Sequence, residues 1–234
     1  MKFSVVLHPS FFPPSEKSMS SLQNVLNTPG EQRTTDQWFT LVSQHNRNRP
    51  YVVTALSHYT ERRPFPDCQH EYIVLEVEER NPTSPKPPPV IIKVSRTIRN
   101  GSLPARLGLW GPATDTVDIL PSGTQFPHAR LHRLTWPHDR APDLFRASLF
   151  IETVHRRMPR YCLLKTSCYA FAGAVKDSIY IRFNGLAQAQ RPPLLTREAY
   201  FMYCIPVGST KAQKLANEVA MTDELYLCDG RRLV

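Results

Sequence analysis

Ser167 leads into Cys168-Tyr169-Ala170-Phe171-Ala172-Gly173-Ala174-Val175, and this run limits the fold more than any other stretch. Serine is a favoured N-cap, because its hydroxyl can accept from the free N–H groups of a helix's first turn. Cys168, Phe171, Ala172, Val175 and Ile179 then recur at i, i+3, i+4, i+7 and i+11, which is one face of one helix. Ala170, Ala172, Gly173 and Ala174 carry almost no side chain, so another element can pack close against this helix. The apolar face needs a second layer to cover it.

Strand patterns upstream supply that layer. His70 to Glu78 is rich in β-branched and aromatic residues, and so is Val90 to Thr97. The proline-rich stretch from Asn81 to Pro89 joins them, and it reads as a stiff connection rather than a ligand for a peptide-binding domain. Paired as a hairpin, the two strands bring His70 near Ser95, Arg96 or Thr97. Phe3–Leu7, Tyr51–Leu56 and Ala199–Val207 are also strand-like, the last expected in the same sheet. Residues 99–127 are punctuated by Gly and Pro and read as a long loop, with a short strand over Asp115–Leu120.

Helix patterns fill the rest. A weak one covers Leu22, Val25 and Leu26, and Thr35-Asp36 opens another containing Trp38, Phe39, Leu41 and Val42. Pro142-Asp143 starts a helix with Leu144, Ala147, Ile151, Val154 and Met158 on its apolar face, and Pro159 stops it. Ser209-Thr210 caps a last one through Leu215, Val219 and Met221. The expected class is α+β, an antiparallel sheet packed on the Cys168 helix. Residues 1–60 read as an N-terminal extension packing on the core, and 61–234 as the main domain.

Cys168 falls in the first turn of its helix. Unpaired N–H groups and the positive end of the helix dipole favour a thiolate there, and the same N–H groups can hold an oxyanion. A buried structural cysteine fits the same apolar face. The candidate base is His70, at the start of its strand.

The order His on a strand, polar residue on the next strand, Cys opening a helix resembles the circularly permuted NlpC/P60 branch of the papain-like superfamily. That branch includes lecithin retinol acyltransferase-like enzymes and PPPDE-type peptidases. The resemblance covers about residues 68–185 and rests on His70-Glu71-Tyr72-Ile73-Val74 and Ser167-Cys168-Tyr169-Ala170-Phe171. It implies a papain-like fold and a cysteine-dependent hydrolase or acyltransferase acting on an amide or ester. Cys168 would then attack, His70 carry the proton, and Ser95, Arg96 or Thr97 orient the imidazole. The implied substrates are a peptide, a ubiquitin-like tail, or a lipid or small acyl group. This chain departs from the acyltransferases in having Ser167 before the Cys and no second His on the following strand. The alternative is an inactive papain-like binding module.

Charge bears on that alternative. The 234 residues carry a net charge of +9, which suits an anionic partner. Arg130, Arg133, Arg140, Arg146, Arg156, Arg157 and Arg160 are spread through one region, without the aromatic signature of an RNA-binding surface. The five cysteines, at 68, 162, 168, 204 and 228, are odd in number and irregular in spacing. This predicts free thiols, a reducing compartment and an intracellular location, in keeping with an N-terminal apolar run too short for a signal peptide. His128 and His132 have a metal-binding spacing on a helix, but Arg130 and Arg133 flank them and no acid stands between. Cys68 and His70 lack a second pair, so no metal or other cofactor is expected.

Overall fold

The computed structural model describes residues 22–45, 51–61, 70–82, 85–98, 110–162 and 167–184, the short strand segments 186–189, 200–201 and 205–206, and residue 217. The expected Phe3–Leu7 strand and the last helix lie outside these residues, as do Cys68, Cys204 and Cys228. The fold is a mixed α+β arrangement. Its strands are β1 (Gln32–Thr34), β2 (Tyr51–Glu61), β3 (His70–Glu79), β4 (Val90–Ile98), β5 (Trp110–Leu120), β6 (Ala129–Thr135), β7 (Arg160–Cys162) and β8 (Leu186–Ala189). They form one sheet in the order β1-β5-β4-β3-β2-β6-β8, with β7 on the outer part of β5, and every pairing is antiparallel.

Among the described residues, four helices accompany the sheet: α1 (Leu22–Leu26), α2 (Thr35–His45), α3 (Leu144–Arg157) and α4 (Cys168–Phe183). Their buried residues share one core with alternate strand residues, among them Leu56, Ile73, Leu75, Val77, Ile92, Val94, Val117 and Ile119. Strand side chains alternate between faces. Tyr72, Val74 and Ile91 therefore project from the other face, where Tyr59, Leu120 and Phe126 pack on them.

Local chemistry sets the helix ends. The Asp143 carboxylate accepts from the Arg146 N–H at 2.9 Å and caps α3. Ser167 has the extended backbone of an N-cap, but its hydroxyl makes no capping bond to α4. At the other end of α4, Asn184 takes the left-handed conformation with φ 45°, which an Asn tolerates better than most residues.

Residues before 61 take part in the core: β2 lies between β3 and β6, and Trp38 and Val42 of α2 are fully buried in the same apolar cluster as α4. Two expectations need correcting. The 99–127 loop contains a full strand, β5, eleven residues long. Its alternation of Val117 and Ile119 with polar residues holds it between β4 and β1, even with Pro112 near its start. The 199–207 strand is instead a separate two-stranded pair, β9 (Tyr200–Phe201) with β10 (Ile205–Pro206).

Candidate functional site

The helix-facing side of β3 carries Glu71, Ile73, Leu75 and Val77. Glu71 is wholly buried, and His58 of β2, also wholly buried, brings Nε2 to 2.7 Å from Glu71 Oε2. This is an ion-pair contact rather than an aligned hydrogen bond. The His132 ring of β6 stacks over His58, with centroids 6.1 Å apart.

Cys168 opens α4 beside this pair and is 2% exposed. The Tyr161 hydroxyl lies 3.9 Å from its sulfur. Burial pushes the thiol up to about 11, and the negative charge of Glu71 adds to the rise. The backbone N–H groups of Glu71 and Tyr169 and the Tyr161 hydroxyl pull it back only in part. The helix N-terminus therefore does not win here. Desolvation of a charged sulfur outweighs the few donors aimed at it.

His70 is elsewhere. Its ring stacks on Tyr72, with centroids 6.2 Å apart, so it shares the far face with Tyr72 while Glu71 faces the helices. Consecutive strand residues point to opposite sides of the sheet, so β3 turns Glu71 rather than His70 towards the helices.

The expected orienting residues also separate. Ser95 pairs with Tyr72 in register, on the His70 side, and its hydroxyl lies 3.1 Å from Thr116 Oγ1. Arg96 turns to the helices and stacks over the Phe171 ring of α4 at 4.5 Å. Its Nε and Nη2 donate to the two Asp115 oxygens at 2.7 and 2.6 Å, both side chains fully buried. Asp115 Oδ2 also meets His155 Nδ1 of α3 at 2.6 Å. Arg96 thus serves an acid on β5 and a helix packing contact.

His128 and His132 sit beside and within β6 rather than on a helix, and with the β-bulge at Arg130–His132 between them they part: the His132 ring stacks on His58, while His128 meets Tyr72. The Tyr72 hydroxyl meets His128 Nδ1 at 2.8 Å. Burial, then the neighbouring Tyr59 and Glu61, push the Tyr72 phenol well above its ordinary range. Among the described residues no group of three or more His, Cys, Asp or Glu is placed to hold a metal ion. Cys162 and Cys168 are free thiols. No helix among the described residues is long and apolar enough to cross a membrane.

The sequence reading missed His58, Glu71, Tyr161, Asp115 and His155. One signal was available for Glu71. Glu76 and Glu78 share the parity of His70, whereas Ile73, Leu75 and Val77 share that of Glu71. The apolar parity faces the core, which places Glu71 inward and His70 outward.

Comparison with protein families, characterised proteins and solved structures finds no match to this chain.

Proposed function

We propose that this chain is a non-catalytic α+β binding module, a papain-like layout without turnover, whose basic surface receives an anionic partner. The observation that supports it is the state of Cys168: buried, with a phenol hydroxyl 3.9 Å from its sulfur and the negative charge of Glu71 nearby, and raised to about 11. At neutral pH a thiol in that state is ionised in roughly one molecule in ten thousand, which is unsuited to a nucleophile. The net charge of +9 supports the choice of partner, and Arg140, Arg156, Arg157 and Arg160 bring part of it to the surface on and beside α3. Iodoacetamide labelling of the native protein, mapped by mass, tests the first half. Cys168 should react more slowly than the half-buried Cys162, and the reverse order would overturn the proposal. Retention on an anionic matrix that falls steeply with added salt tests the second half.

A second reading keeps Cys168 as the nucleophile of a hydrolase or acyltransferase. One observation favours it: a largely apolar cleft of about 560 Å³, lined by Gly111, Pro112, Pro159, Arg160, Tyr161 and Cys162, shares Tyr161 with the thiol. In that reading Tyr161 swings aside to admit a peptide or acyl group. Rapid labelling of Cys168 by an acylating reagent, abolished in Cys168→Ser, is the result that would favour it.

A further inference from the structure

The surface end of the Asp115 chain carries more titratable groups than packing requires. His155 of α3 stands between two acids on different elements. Its Nδ1 is 2.6 Å from Asp115 of β5, and its Nε2 is 3.8 Å from Asp36 in the first turn of α2. Glu152, one turn earlier on α3, is buried, bonded through Oε1 to Arg156 Nε, and leaves Oε2 without a partner among the described side chains. Arg156 Nη2 in turn reaches Asp36 at 3.8 Å. The groups facing His155 are therefore Asp115 and, behind it, Arg96 from the sheet, Asp36 from α2, and Glu152 and Arg156 from its own helix.

We propose that the docking of α2 on α3 is a proton-dependent clamp, in which Asp36 is held by the His155 imidazolium and by a protonated Glu152 carboxyl. With both protons present, the Glu152 O–H donates to the Asp36 carboxylate, and the charged imidazole bridges Asp36 and Asp115. With both lost, two carboxylates face each other across the helix interface and the imidazole bridge is neutral. The cluster then passes from net positive to net negative.

The titration behaviour agrees with that geometry. Burial, reinforced by the neighbouring Asp36 and opposed by Arg156, raises Glu152 to about 7. The hydrogen bond to Asp115 raises His155 above its ordinary value against the opposing effect of burial, and the charges of Asp115, Glu152 and Asp36 add to it. Both folded values lie above their unfolded ones, so both contributions run the same way. The Glu152 contribution is complete below its unfolded value of 4.5 and is lost as pH rises towards about 7. The His155 contribution is complete below 6.5 and is lost as pH rises through its raised folded value. The clamp is tight in mild acid and loose above neutrality. Trp38, buried on α2 with its indole N–H donating to Ser148 of α3 at 2.9 Å, keeps the helix attached, so the change is local.

The experiment is hydrogen exchange of the α2 amides from pH 5.5 to 8.5 on the full chain, corrected for intrinsic exchange. Protection across Gln37–Val42 should fall by roughly tenfold over that range in excess of the protection change in β3, since each unit of pKa shift is a factor of ten. Glu152→Gln keeps a donor towards Asp36 but no titrating proton, and should flatten the lower part of the profile. Asp36→Asn, at an exposed position, should flatten all of it. Protection in α2 that does not change with pH, or a profile in Asp36→Asn that matches the parent, would overturn the proposal.

Discussion

Two polar clusters lie under the helices of this fold, and they differ in where they end. The first, His58–Glu71–Tyr161–Cys168, stays buried, though Tyr161 lines the cleft: the His58 and Glu71 side chains are 0% exposed and Cys168 is 2% exposed. The second starts equally deep, at Arg96 and Asp115, but continues through His155 at 21% exposure to Asp36 at 62%. Burial pushes Cys168 towards its neutral form. The cluster that reaches water keeps groups that exchange protons near neutral pH. A residue's place on a helix end therefore says less about its chemistry than whether its cluster opens to solvent.

The largest effect expected from breaking this contrast comes from the deep end of the second cluster. Arg96→Ala leaves Asp115 as a buried charge without its bidentate partner and removes the cation stacked on Phe171. The expected loss is roughly 3–5 kcal/mol in urea unfolding. A loss below about 1 kcal/mol would mean that the pair is not buried as described. Cys168→Ser comes next. It places a more strongly hydrated hydroxyl at a buried position, and should cost on the order of 1–3 kcal/mol. It should also remove a fall in stability at alkaline pH. The folded thiol value lies above its ordinary 9.0, so its contribution is complete below pH 9 and lost as pH rises through about 11. Unchanged melting in Cys168→Ser would move Cys168 out of the core and into a cleft.

The contrast also explains what the sequence could convey. The Cys168 helix, the α3 helix and the β3–β4 hairpin were legible because period and capping are local: α4 begins at Cys168 and β3 at His70, as the patterns predict. β5 was less legible because Gly111 and Pro112 mimic a loop, and its place is set by long-range pairing with β4 and β1. The faces of β3 turn on one residue of parity. His70 and Glu71 are neighbours in the chain, and a hairpin drawn without regard to faces puts either one near the Cys168 helix. The contacts of Tyr161 with Cys168 and of His155 with Asp115 join separate elements, the latter across forty residues, and no local pattern announces them.

The smallest effect tests that parity directly. Glu71 and His70 differ by one position, yet only Glu71 acts on the Cys168 sulfur through both its backbone N–H and its charge. Glu71→Gln removes the charge, keeps the backbone N–H and nearly keeps the shape. The charge raises the thiol value, so its removal should lower it, and the alkylation rate of Cys168 at pH 8 to 9 should increase severalfold. His70→Ala removes a ring on the other face of the sheet and should leave that rate unchanged within about twofold. The pair must be compared after matching for stability, because local opening also exposes a buried thiol. Alkylation at a denaturant concentration adjusted to equal unfolding free energy separates the two causes. If His70→Ala slows Cys168 while Glu71→Gln leaves it alone, the imidazole reaches the thiol after all, and the dyad rather than the buried acid describes this site.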